Sequence, residues 1–252
     1  MSYYQNKMRD KNILELKDGS GFFTLKINKD ELEILRNIVN EHFHKVIKTN
    51  YPNFNLNTKI NEYHKISEKI EHNKIWPMVS RVLSEEKYNQ FLKFELIDRL
   101  SKMFGKFSIS DENKLGYGEL VWRLVRPNKK DDVGPIHCDK WFWDLNPNHY
   151  VPKNCERVKC WISLWCDNKN GLQVYPKSQL KNFSYKSEKR HGYMKPIFDH
   201  SRIENFMEKQ NCDPGTVIIF NDKLLHGGVV NEGLQTRVSM EFTMFVNSKK
   251  FN

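Results

Sequence analysis

The sequence predicts a mainly β domain with flanking helices, and three observations carry that expectation. Apolar residues recur at three- and four-residue steps up to about position 115, the helical period. After Gly116 the pattern changes to short extended runs. At 252 residues the chain buries a sizeable core without needing a second domain. Helices first and strands afterwards suggest a closed or sandwich-like β core with helices against it.

In chain order, residues 1–17 are polar and read as a loose N-terminus, and residues 18–115 as a strand plus buttressing helices. Gly21 to Ile27 reads as a strand, with Phe23, Leu25 and Ile27 alternating. A helix follows, capped by Asn28 with Glu31 three residues on, and Leu32, Leu35, Ile38 and Val39 form its apolar face. Residues 51–72 read as loop with a short helix. Ser84 to Met103 reads as one helix with a buried stripe of Tyr88, Phe91, Leu92, Leu96, Leu100 and Met103.

Residues 116–247 supply the β core, with extended runs at Gly118 to Val125, Gly134 to Asp139, Val158 to Cys166, Leu172 to Tyr175, Thr216 to Phe220, Gly227 to Val230 and Arg237 to Val246. Asn170-Gly171 is a hairpin signal between two of these runs. Residues 140–157 and 180–210 interrupt the strands and read as lid or binding loops.

Four residues carry the chemistry: His137 and Asp139 in GPIHCDKW, His226 in KLLHGG, and Arg237 in QTRVSMEF. An isolated H-x-D means little, since nine histidines give about one chance match. On an extended segment, however, His137 and Asp139 point to one side and Cys138 to the other. Two histidines and a carboxylate are a facial ligand set for Fe(II), with positions left open for an oxygen-donor cosubstrate and dioxygen. Gly227 and Gly228 after His226 allow close approach of backbone and ligand. Arg237 lies in an apolar run where a cation needs a fixed anionic partner. Ser239, on the same strand face, can add a hydrogen bond to that anion.

The chain here resembles the Fe(II)- and 2-oxoglutarate-dependent oxygenases of the phytanoyl-CoA dioxygenase type. The opening strand and helix, Gly21 to Val39, match that family's start. Trp161, Leu164, Asp167, Asn170, Gly171, Pro176 and Ser178 match its W-x-x-L…D…N-G…P-x-S pattern. The likeness spans roughly residues 18–247. Lys177 stands where the family usually has Gly, and Gln179 where it often has His. The resemblance implies a double-stranded β-helix, the jelly roll of cupin-like proteins. It further implies that His137, Asp139 and His226 hold Fe(II), that Arg237 with Ser239 holds the far carboxylate of 2-oxoglutarate, and that dioxygen is the oxidant. Halogenating relatives replace the carboxylate by Ala or Gly; Asp139 therefore favours hydroxylation, although desaturation, cyclisation and demethylation use the same centre.

For substrate contacts, family members place an aromatic shortly after H-x-D, which makes Trp143 the candidate wall. Trp141 is the weaker candidate, read chiefly as packing beneath the first loop. Arg126 and Arg123 lie on opposite faces of one strand, so one of them reaches the cavity; which one is left open, and Arg126 is carried as a candidate.

The net charge of +10 raises a polyanionic partner. The lysines are scattered rather than clustered, so a solvated basic surface is the reading adopted and nucleic acid is disfavoured. Five cysteines without a C-x-x-C pair exclude a disulfide framework and a zinc ribbon. Apolar runs too short for a membrane span and a polar N-terminus place the chain in the cytoplasm, with no membrane partner. The expected activity is hydroxylation of a small polar metabolite, anionic ones included. The alternatives are a non-catalytic β-barrel binding protein and a nucleic-acid demethylase of the same cofactor class.

Overall fold

A computed structural model describes residues 11–146, 151–190 and 193–250. Residues 11–17 form a helix, α1, whose Ile13 and Leu16 are buried in the core. The expected loose N-terminus is thus corrected over this stretch, because two apolar side chains one turn apart find a core to enter. Strand β1 (Phe22–Lys26) leads into α2 (Lys29–Asn50), where the Asn28 side chain accepts from the Glu31 backbone N–H at 2.8 Å. Leu32, Leu35, Ile38 and Val39 are buried, as the periodicity required. The Glu31 carboxylate does not return to Asn28. It accepts the backbone N–H of Glu95 and so caps another helix.

Residues 51–72 hold two short 3-10 turns and lead to α3 (His72–Ile75). The single helix expected over Ser84 to Met103 is two, α4 (Glu85–Phe91) and α5 (Glu95–Phe104). The chain breaks between them, and Leu92, which an unbroken helix would bury, is 38% exposed. The break puts the N-terminus of α5 against Glu31, which satisfies one of its free donors.

The sheets follow from the period-2 patterns. The larger runs β1-β9-β4-β11, with β2 (Phe107–Ile109) and β3 (Val121–Val125) both pairing with β11 (Arg237–Asn247). Here β4 is Cys155–Trp165 and β9 is Thr216–Asn221, and the pairings are antiparallel. One face of this sheet, including Trp122, Ile162, Ile219, Met240 and Phe242, packs with the buried faces of α2 and α5. The other face looks toward a smaller sheet of β10 (His226–Gly228), β5 (Leu172–Val174) and β8 (Glu208–Lys209). Trp161, Ile218 and Phe220 from the large sheet and Leu172 and Val174 from the small one form a second core between them. Two facing antiparallel sheets with helices on the outer face make the expected double-stranded β-helix.

Asn170-Gly171 is not a hairpin turn. β4 belongs to the large sheet and β5 to the small one, so the chain crosses between sheets here. Gly171 is required by proximity: a Cβ would lie 2.5 Å from the Cys212 side chain. A bulge at Leu164, between the pairs Val238–Trp165 and Ser239–Ser163, frees a carbonyl that Arg36 of α2 takes through Nε and Nη2 at 2.9 and 2.7 Å.

The two expected lids contain regular structure. Residues 140–157 begin within helix α6 (Asp139–Leu145) and end inside β4, while residues 180–210 contain the hairpin β6 (Lys186–Arg190) and β7 (Tyr193–Ile197) as well as β8. No helix among the described residues is long and apolar enough to cross a membrane.

Candidate metal centre

The segment around His137 is extended only briefly. Among the described residues its ladder pairing is a single bridge, in which His137 N–H donates to the His226 carbonyl (2.9 Å) and His226 N–H to that of His137 (2.8 Å). The strand expected over Gly134 to Asp139 therefore ends at Cys138, and Asp139 opens α6. Cys138 keeps extended torsions (φ −117°, ψ 148°), so its neighbours still project to one side while it enters the cluster of Ile136, Trp141, Tyr175 and Leu225. Gly227 permits the approach, since a Cβ there would lie 3.2 Å from Ile136.

Three ligand atoms, one each from His137, Asp139 and His226, lie within 4.8 Å of one another. The ring centroids of His137 and His226 are 4.4 Å apart. Each Nδ1 meets a backbone carbonyl, that of Pro135 for His137 (2.8 Å) and that of Leu224 for His226 (3.0 Å). These bonds fix the proton on Nδ1 and leave the Nε2 lone pair for a metal. Burial, with the adjacent His137, pushes His226 down to about 4 and keeps it a neutral ligand. Burial disfavours charge on Asp139, but the Lys159 ammonium and the two histidines outweigh it and hold the carboxyl well below the usual range. Asp139 Oδ2 is buried with no hydrogen-bond partner. An unspent carboxylate oxygen beside two imidazole nitrogens fits a divalent cation of intermediate hardness such as Fe(II).

Arg237 is 7% exposed on the inner face of β11. Its Nη1 donates to the carbonyls of Gly171 and Val229, both at 2.8 Å, and to that of Asn170. Among the described residues no carboxylate pairs with it. Gly228 makes room, as a Cβ there would lie 3.2 Å from Nη2. Burial lowers the Arg237 pKa, so this is a desolvated cation in want of an anion. Ser239, 3% exposed, is two residues along the same strand face.

Residues 50–239, well over half of the chain, match the model of the phytanoyl-CoA dioxygenase (PhyH) family. The chain belongs to the phytanoyl-CoA dioxygenase family. It is an Fe(II)- and 2-oxoglutarate-dependent dioxygenase that uses molecular oxygen. Solved structures share its fold across 94% of the chain. EvdO2 from Micromonospora carbonacea var. aurantiaca has TM-score 0.58, 12% identity and 90% of its own chain covered. AviO1 from Streptomyces viridochromogenes Tue57 has TM-score 0.55, 13% identity and 94% covered. The non-heme alpha ketoglutarate dependent carbocyclase SnoK from nogalamycin biosynthesis has TM-score 0.53, 10% identity and 83% covered. No curated protein matches the sequence.

The PhyH-family pattern has a physical account in this chain. Ser178 Oγ accepts the Leu225 N–H (2.8 Å) and so fixes the residue before His226. The Asp167 carboxylate accepts from Gln235 Nε2 (2.9 Å) and the Leu234 N–H, holding the turn before Arg237. Lys177, at the family's glycine position, has φ 64°, a left-handed conformation that explains the usual glycine. Gln179 reaches the Gly19 carbonyl through Nε2.

The expected substrate contacts fare differently. Trp141 stacks on Tyr185 of the second lid at 4.7 Å and packs there. Trp143 sits edge-on to Phe245 with the Arg157 guanidinium over its ring. Arg126 is committed to Asp132, through Nε at 2.8 Å and Nη2 at 2.7 Å. Arg123 is the one on the inner face, directly opposite Ser239. Sequence reasoning missed Phe142, whose ring lies edge-on to His137 at 5.1 Å; its place three residues into a helix from Asp139 was the available signal.

Proposed function

We propose that this dioxygenase hydroxylates a small polar metabolite, with Fe(II) held by His137, Asp139 and His226 and the far carboxylate of 2-oxoglutarate held by Arg237 and Ser239. The observation that carries the reading is the buried Arg237, without a carboxylate partner among the described residues, on the inner face of the sheet beside the His-Asp-His cluster. A guanidinium can grip a carboxylate with two parallel hydrogen bonds. With dioxygen, iron and 2-oxoglutarate supply the oxidising equivalent for an unactivated C–H bond as 2-oxoglutarate becomes succinate and carbon dioxide.

The chain's own residues bind, orient and shield. The backbone bridge holds the two histidines at a fixed separation, and the Nδ1 hydrogen bonds hold their tautomers. Lys159 keeps Asp139 ionised. Phe142 covers one side of His137. The retained carboxylate supports hydroxylation over halogenation.

Anaerobic titration of the protein with Fe(II) and 2-oxoglutarate tests the centre, through the visible charge-transfer absorption of the chelate in wild type and His226→Ala. Absorption in the wild type alone is the expected result, and succinate release against a metabolite panel then tests the substrate class. A folded wild type that develops no absorption overturns the ligand assignment.

A further inference from the structure

The inner face of the large sheet carries three charged residues beside the metal-ligand cluster, none of them a member of that cluster. Arg123 of β3, Glu241 of β11 and Lys159 of β4 are neighbours across three strands. Each interrupts an apolar run, and their flanking residues Trp122, Met240, Phe242, Val158 and Cys160 face the helices. Arg123 stands opposite Ser239 on the inner face and leaves 47% of its side-chain surface accessible to water.

The hydrogen bonding is unbalanced. Arg123 Nε and Nη2 both donate to Glu241 Oε1, at 2.8 and 2.6 Å. Lys159 Nζ approaches the same oxygen only to 3.7 Å, and its side chain is 13% exposed. One carboxylate oxygen thus serves two cations, leaving Arg123 Nη1 and the Lys159 ammonium without an acceptor among the described residues. Arg81 stands behind Arg123, and among the described residues its guanidinium donates to the carbonyls of Trp76 and Trp122, each at 3.2 Å. Against these three cations stand Glu241 and the partly exposed Glu112, which takes a hydrogen bond from Ser110 Oγ. Asp139 is committed to the ligand cluster. This part of the inner face therefore offers free cationic donors, and a nearly buried ammonium without a hydrogen-bond acceptor is costly unless an anion arrives.

The geometry points to a subsite, formed by Lys159 and Arg123 and bridged by Glu241, for an oxyanion group of the primary substrate: a carboxylate, sulfate or phosphate. It rests on the reading that the adjoining His-Asp-His cluster is the oxidising centre, and it places the substrate's charged end on the large-sheet wall. Glu241 acts as the internal counter-ion that keeps the two cations apart and oriented until the substrate's anion shares them.

The test is calorimetric titration of the protein, loaded anaerobically with Fe(II) and 2-oxoglutarate, with acetate, sulfate and inorganic phosphate at constant ionic strength. Uncharged dimethyl sulfone is the control. At least one oxyanion is expected to bind saturably and the sulfone not at all. Lys159→Met and Arg123→Met are expected to weaken that binding about tenfold or more, and Lys159→Arg to restore it. Lys69→Met, on an exposed turn, is expected to change nothing. Glu241→Gln, which removes the competing carboxylate, is expected to tighten it; a purely structural ion network predicts loss instead. No saturable oxyanion, equal affinity in the Met variants, or weakening by Glu241→Gln overturns the subsite. The chelate absorption separates the two readings. Its absence from the wild type defeats the centre, whereas its presence without oxyanion binding defeats the subsite alone. Its retention in Arg123→Met and in Lys159→Arg shows that the fold survives.

Discussion

His137 and His226 exchange both of their backbone hydrogen bonds, at 2.9 and 2.8 Å, although 88 residues lie between them in the chain. The spacing of the two histidines is therefore set by the main chain, as in any hydrogen-bonded antiparallel pair. The third donor, Asp139, enters from the first residue of a helix.

Replacing one donor leaves the other two in place, because the bridge does not depend on side chains. Asp139→Ala is expected to remain folded, to lose the Fe(II)–2-oxoglutarate absorption and to release no succinate. Full oxidation by this variant would sink the ligand assignment.

Arg237→Ala removes the only cation at the inner end of β11 that has no carboxylate partner among the described residues. Loss of a desolvated charge-assisted pair costs about 2–5 kcal/mol, so the apparent KM for 2-oxoglutarate should rise by roughly thirtyfold to several thousandfold. The complementary readout is thermal: 2-oxoglutarate with Fe(II) should raise Tm in the wild type and much less in the variant. An unchanged KM would move the anchor elsewhere.

Glu241 provides a pH signature. Burial opposes its charge, but Arg123 and Lys159 outweigh burial and lower its pKa from 4.5 to about 2, with Asp139 acting in the opposite sense. A depressed carboxylate contributes stability above its unfolded pKa and loses it as pH falls through the folded value. The contribution at neutral pH is about 3 kcal/mol at most, and it should disappear between pH 4.5 and about 2. Glu241→Gln should accordingly be less stable than wild type in urea at pH 7, with the gap closing on acidification through that window. A gap independent of pH would show that the carboxylate's charge is not its source.

Lys177 occupies the left-handed region, φ 64°, where a β-carbon is strained. Lys177→Gly should stabilise the fold by roughly 0.5–1 kcal/mol in urea denaturation, the strain relieved exceeding glycine's added chain entropy. A destabilised variant would mean that the lysine side chain has a compensating contact.

The grouping of His137, Asp139 and His226 and the burial of Arg237 were legible because these residues violate their surroundings: a cation in an apolar strand, a histidine before two glycines. The β core was legible from alternation in the same way. What the sequence hid was set by long-range geometry. The break before α5 depends on Glu31, more than sixty residues earlier. Asn170-Gly171 has hairpin chemistry, yet the strand that follows pairs with β10 and β8, a choice made by two sheets meeting. Arg123 and Arg126 differ only in phase along one strand, so their roles were fixed once Asp132 folded back onto Arg126. Lys159 and Glu241 looked like isolated charges until strand register set them side by side.

The bulge at Leu164 ties the exterior of this enzyme to its interior. Arg36 occupies the bulge carbonyl from the helical layer, one strand away from Val238 and Ser239, where the register slips. An outer-helix side chain thus fixes the point at which β4 changes its register against β11, so position 36 is tied to the strand that carries Arg237 and Ser239.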